Sequence, residues 1–159
     1  MAKVQGLDKL KWKLANFSPA IQKRLQDAVL RSAEDVAESA RNLAPVGKTG
    51  KLKASIKAVP GGIPHEEGGQ KVFGSTGTRV ADNSVVKATV YAGDRDAWYA
   101  RIVEFGSAPH EAGGKFEGAQ HPGTAPKPFF FPAYRSRRKG AKSRISRAIR
   151  EAIKEVVAR

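Results

Sequence analysis

The sequence predicts an α+β protein, in which a small, mostly antiparallel sheet packs against a long N-terminal helix and a basic C-terminal helix, with two long loops. Three observations point there. Residues 19–44 hold apolar groups at helical spacing with no glycine among them, residues 85–93 alternate as a half-buried strand does, and residues 136–157 return to a helical period while collecting positive charge. With 159 residues, 40% of them hydrophobic and 28% charged, one domain over 1–159 can bury a core, and collagen-like, wholly disordered and multidomain readings drop out.

At the start, Leu7, Leu10, Leu14 and Phe17 fall at steps of three, four and three, one side of a short helix from which Lys9, Lys11 and Lys13 point away. Ser18 suits an N-cap and Pro19 a first helical position, since proline has no amide to leave unpaired. The second helix follows with Ile21, Leu25, Ala28, Val29, Val36, Ala40 and Leu43 on its apolar side, and Pro45 marks its end. About 25 residues at 1.5 Å rise make a rod of about 38 Å, long enough to cross a sheet or line a subunit boundary.

Beyond it, Gly47-Lys48-Thr49-Gly50 shares residue types with a phosphate-binding loop but not the order. Such a loop follows a strand and opens a helix, whereas here a long helix precedes and Gly50 closes the run, so a turn with special backbone angles is the better account. Leu52–Val59 reads as a helical turn running into a strand from about Ser55. Residues 60–84 carry Pro60-Gly61-Gly62, Pro64, Gly68-Gly69, Gly74 and Gly77, the composition of a long mobile loop or hairpin tip. The strand at 85–93 has the strand before that loop as its natural partner.

Residues 97–106 concentrate Trp98, Tyr99, Ile102, Val103 and Phe105 before Gly106, which predicts one to two helical turns with a C-terminal glycine. A second mobile loop, rich in Gly, His and Pro, covers 107–125. The prolines bracketing 126–133 predict an edge strand, and a helix from about Ser136 carries Ile145, Ile149, Ile153 and Val156/Val157 on one face.

Charge narrows the partners. Twenty-nine Lys and Arg against fifteen Asp and Glu leave +14, a surplus that calls for polyanions or acidic proteins nearby. Residues 135–159 contribute ten basic groups against two acidic ones, and Arg135, Arg137, Arg138, Lys139, Lys142, Arg144, Arg147 and Arg150 are candidate contacts to DNA phosphate or to an acidic partner. No recognition-helix, zinc-finger or RNA-binding signature accompanies them, so readout of a particular base sequence is not expected.

The sequence has no cysteine, which excludes disulfides, thiolate metal sites and cysteine nucleophiles. His65, His110 and His121 sit in Gly-rich stretches at no ligand spacing, so no metal or other cofactor is expected. Glu104 is the one carboxylate in an apolar setting. Alone it lacks the second group that acid/base chemistry needs, and it is expected to cap a helix or pair with an arginine rather than to catalyse. No segment approaches the roughly 20 apolar residues of a membrane span, and no leader is visible, so a protein made and used without secretion is expected.

Four blocks then occur in order: Gly6-Leu7; Ala44-Pro45-Val46-Gly47-Lys48-Thr49-Gly50-Lys51-Leu52-Lys53-Ala54-Ser55-Ile56; Tyr99-Ala100-Arg101-Ile102-Val103-Glu104-Phe105-Gly106; and Pro126-Lys127-Pro128-Phe129-Phe130-Phe131-Pro132-Ala133 before the terminal helix. This set resembles the head-tail joining or tail-completion family of long-tailed bacteriophages, called gene-product-ten-like and related to minor tail protein Z. The resemblance implies a structural virion protein without enzyme activity, assembled in the host cytoplasm. It implies a ring of this chain at the neck, six copies matching a tail tube or twelve a portal, with six expected.

Portal-adaptor or head-closure proteins on one side and tail terminator or tail tube proteins on the other are the implied neighbours, with packaged DNA passing through the lumen. Under the resemblance Pro45, Gly47, Thr49, Gly50 and Leu52 form the turn after the long helix. Tyr99, Glu104, Phe105 and Gly106 form the second motif, and Pro128, Phe129 and Pro132 the third. The long loops and Ser107, where a threonine is common, depart from the pattern. The alternative from a different class is a nonspecific nucleic-acid-binding protein supported by charge, and a third, a hydrolase using the loop histidines, would require bound zinc or manganese.

Overall fold

The computed structural model describes residues 19–62, 73–75 and 86–157. The expected helix at 7–17, the Ser18 cap expected for the second helix and most of the 60–84 loop lie outside the described residues. Helix α1 (Pro19–Leu43) is followed by a single turn, α2 (Lys51–Ala54), and by strand β1 (Lys57–Pro60). Strands β2 (Phe73–Ser75) and β3 (Ala88–Ala92), helix α3 (Ala100–Phe105), the short strands β4 (His110–Glu111) and β5 (Gln120–His121), and helix α4 (Phe130–Val157) complete the order. The fold is α+β.

The sheet has the order β1-β3-β2, both pairings antiparallel. Lys57 faces Tyr91 and Pro60 faces Ala88 on one side of β3, while Phe73 faces Ala92 on the other. Helix α1 lies across it, and α4 packs along α1 in the antiparallel sense: Arg24 reaches Glu155 at 3.0 Å, and Arg144 reaches Asp35 at 2.6 Å. The two ion pairs stand eleven residues apart along either helix, a matched rise of about 16 Å.

Small residues let these layers approach. Ala33, Ala37 and Ala40 line the buried side of α1 with Val36, and together with Ala44 just past its end they meet Leu52, Ile56, Val90, Ala92, Ala100, Phe129, Phe130 and Ala133 in one core. Methyl-sized side chains on α1 leave room for the two phenylalanine rings, which are fully buried and set edge to face at 6.4 Å. A second cluster of Ile21, Leu25 and Ala152 closes the far end of the helix pair.

Three expectations need correction. The strand after the first turn begins at Lys57 rather than Ser55, because Ser55 ends α2: its amide bonds to the Lys51 carbonyl, and its buried hydroxyl donates to the Leu52 carbonyl and accepts from the Gly93 amide. Residues 126–133 form no edge strand. Their last four are the first turn of α4, which begins at Phe130 and not near Ser136, and Pro132 is tolerated there because first-turn amides have no intrahelical acceptor. Finally, Ala141, Ile145, Ala148 and Ala152 form the inward stripe of α4, while Ile149 and Ile153 are 37% and 39% exposed.

Residues 107–124, expected as a loop, contain a hairpin: β4 pairs with β5, and Ser107 and Thr124 exchange two backbone hydrogen bonds of 3.0 Å at its base. The short turn Gly114–Phe116 forms its tip.

Candidate functional site

The node that organises the C-terminal half is built on α3. Asp94 starts it: its side chain accepts from the amides of Asp96 (2.9 Å) and Ala97 (2.7 Å), the local turn that aspartate favours, and Asp96 pairs with Lys51 at 3.2 Å. The apolar side of α3 then docks through Ala100, with Tyr99 and Val103 against the core. One turn after Ala100, the same face carries Glu104, only 3% exposed.

Its carboxylate accepts three backbone hydrogen bonds, from Phe129 (2.7 Å) and Phe130 (2.8 Å) to one oxygen and from Phe131 (3.0 Å) to the other. These are the orphan amides of the first turn of α4, and the next residue, Pro132, has no amide to satisfy. Glu104 therefore caps a helix 26 residues downstream, and it adds a full negative charge at the positive end of the α4 dipole. The first intrahelical bond, from Ala133 to the Phe129 carbonyl, follows directly.

The same junction is tied from the other direction. The Lys127 amide donates to the Val103 carbonyl at 2.7 Å, satisfying the end of α3, and the Phe105 and Phe131 rings meet at 5.8 Å. Gly106 turns the chain out of α3 at φ +74°, and a Cβ there would lie 2.5 Å from the Thr124 carbonyl oxygen. Only glycine fits, by backbone conformation and by space.

Among the sequence-predicted residues, the second and third motifs thus come together: Glu104 with Phe129, Phe105 with the ring after Phe130, and Gly106 against Pro126, two residues before Pro128. Tyr99 packs beside them. The first motif sits at the end of α1. Gly50 has φ +64° and opens α2, its amide bonding to the Gly47 carbonyl, and Leu52 is buried in the shared core. Pro45 is half-buried, and Gly47 and Thr49 are exposed.

Helix α4 carries the basic candidates outward from this anchor. Arg135, Arg137, Arg138, Lys139, Lys142, Arg147 and Arg150 are exposed, and Lys139, Lys142, Ser143, Ser146, Arg147 and Arg150 line one shallow groove along three turns. Arg144 differs from its neighbours: its guanidinium turns inward to Asp35 and to the Ser32 hydroxyl, joining α4 to α1.

The histidines show another arrangement. His110 and His121 stack at 4.9 Å across the hairpin, His121 Nδ1 accepting from the Gly123 amide, while His65 lies outside the described residues. Among the described residues no group of three or more His, Asp or Glu is placed to hold a metal ion. No helix among them is long and apolar enough to cross a membrane.

Sequence reasoning missed the target of Glu104 and the extent of the hairpin. One signal was present: residues 126–132 contain no Ser, Thr, Asp or Asn where a helix cap would stand, so a helix starting there had to draw its cap from elsewhere in the fold.

A family model described as "Bacteriophage HK97-gp10, putative tail-component" matches residues 8–106. That span takes in α1, the sheet and α3, and it ends on the glycine after Glu104. No curated protein and no solved structure gives a match.

Proposed function

Since the chain belongs to the HK97-gp10-like family of phage tail components, we propose that it is a non-catalytic ring protein of the neck, completing tail or head and joining them. The observation that carries the reading is the pairing of that membership with a basic helix that is capped by Glu104, docked along α1, and turns seven cations to its exposed side. A ring of like subunits repeats each surface around its axis, so seven exposed cations per copy add up to a strongly positive band. Packaged DNA offers phosphates all round such a lumen, and acidic rims on neighbouring neck proteins offer the same complementarity.

In this reading the whole chain, 1–159, works as one structural domain in the virion. Six copies match a tail tube and twelve a portal, with six preferred. Its neighbours are a portal-adaptor or head-closure protein on one side and a tail terminator or tail tube protein on the other. A second reading, a nonspecific nucleic-acid-binding protein acting alone, is favoured by the same exposed basic face.

The test is electron microscopy of lysates from a particle-producing strain with this gene deleted. The expected result is DNA-filled heads beside unattached tails. Joined, infectious particles would overturn the neck reading and leave the nucleic-acid binder, whose mark would be tight, salt-sensitive DNA affinity of the isolated chain.

A further inference from the structure

Among the described residues, the hairpin at 107–124 places no side chain in either core cluster. From Ala108 to Pro122 its described side chains are exposed, apart from a half-buried Ala112, yet its backbone is ordered by β4–β5 pairing, by the Ser107–Thr124 bridge and by the Ala112–Ala119 hydrogen bond. At its tip Phe116 is 72% exposed, a large apolar ring presented to solvent. Such a ring on a defined scaffold is preorganised for a partner.

A cleft of sufficient volume exists elsewhere on the molecule. Val29, Ala33 and Val36 of α1, Ala88 and Val90 of β3, and Tyr134, Ala141 and Ile145 of α4 surround an open apolar cleft of about 170 Å³, with Phe130 at its floor. Apolar cavities of about 150 Å³ accept a benzene ring, so one phenylalanine side chain fits. By sequence the arm as a whole has two acidic residues, Glu111 in β4 and Glu117 beside the tip, to one lysine, in a chain of net charge +14. Arg137 and Arg138, both exposed, stand one turn before Ala141 at the cleft's rim. Arm and rim are complementary in charge.

We infer that the 107–124 hairpin is an assembly arm whose Phe116 seats in the α1–β3–α4 cleft of a second copy of this chain. The inference rests on the ring reading above and deepens it. A closed ring needs two different, complementary patches on each subunit, repeated head to tail, and the arm and the cleft are two such patches.

The absence of cysteine makes the test clean. In the full chain, Phe116→Cys and Ala141→Cys are combined, the protein is oxidised, and non-reducing gels are read beside native mass spectra. The expected result is a ladder of covalent multimers up to the ring number in the double variant, with nothing beyond dimers in either single one. Rings without the ladder would overturn the arm while leaving the ring. A bridged monomer would show the arm folding onto its own cleft and also overturn it. A chain that stays monomeric at every concentration would remove the ring reading and this one together. In parallel, Phe116→Ala should weaken self-association about ten- to hundredfold with an unchanged melting temperature, since its ring is mostly exposed.

Discussion

Replacing Glu104 with glutamine keeps the shape of the side chain and removes its charge, so the change isolates what the carboxylate does for α4. Three amides point at it over 2.7, 2.8 and 3.0 Å, and two of them belong to fully buried residues. A glutamine that keeps its carbonyl toward Phe129 and Phe130 must turn its NH2 toward the Phe131 amide, donor against donor. One charge-assisted bond is lost, worth about 1.5–3 kcal/mol. The other two fall to neutral strength, about half of what they were. The charge at the helix end disappears as well, about 0.3–1 kcal/mol. Taken at the low end of each range, because the charge counts in all three, these come to about 3 kcal/mol, and in a protein of this size each kcal/mol lowers the melting temperature by roughly 2–4 °C. Calorimetry should therefore show a fall of about 6–12 °C, with hydrogen exchange at Phe129–Phe131 accelerated. A melting temperature within about 1 °C of the parent would mean that Glu104 does not hold the helix start.

Four further outcomes follow from other contacts. Gly106→Ala places a methyl 2.5 Å from the Thr124 carbonyl oxygen at φ +74° and should cost about 2 kcal/mol or more by thermal melting, with faster proteolysis of the hairpin. Ser55→Ala leaves the buried Gly93 amide without its acceptor and should cost about 1–2 kcal/mol in urea unfolding. Arg144→Gln removes the bridge to Asp35 and Ser32, but both ionic partners are half exposed, so the loss should stay near 0.5–1 kcal/mol. Converting Arg137, Arg138, Lys139 and Lys142 to glutamine should change stability by less than about 0.5 kcal/mol. It should also lower the salt slope of any DNA affinity by about 0.9 for each phosphate contact removed, and an unchanged slope would place the DNA face elsewhere.

What could be read ahead of the structure was whatever depends on local periodicity. The long helix showed itself because Val36, Ala40 and their neighbours repeat at helical spacing, and its stop because Pro45 forbids continuation. Strand β3 and the turn at Gly50 were visible for similar reasons. Two of the misreadings involve long-range partners. Prolines at 126, 128 and 132 look like an edge strand only until a carboxylate from α3 accepts the first-turn amides and makes a helix start possible there. Ile149 and Ile153 look more apolar than Ala148 and Ala152, yet the close approach of α1 selects the alanines. The hairpin has no alternating apolar pattern because it buries no face, so period-based reading had nothing to detect. As for the candidate site, its basic residues were legible, but not that Arg144 turns inward while its neighbours do not.

The joint at Glu104 has a consequence for how such a chain can be rebuilt. It grips main-chain amides and not side chains, so it is blind to the sequence of the helix it starts. The region matched to the family ends at Gly106, two residues past the gripping carboxylate. Any helix offering three free amides followed by a proline could be plugged into that socket, provided it keeps the core side chains of Phe129, Phe130 and Ala133 and an inward stripe small enough to lie on α1. The terminal helix is thereby an exchangeable fitting: its outer face can be rewritten, acidic for basic or long for short, while the connector that carries it stays the same.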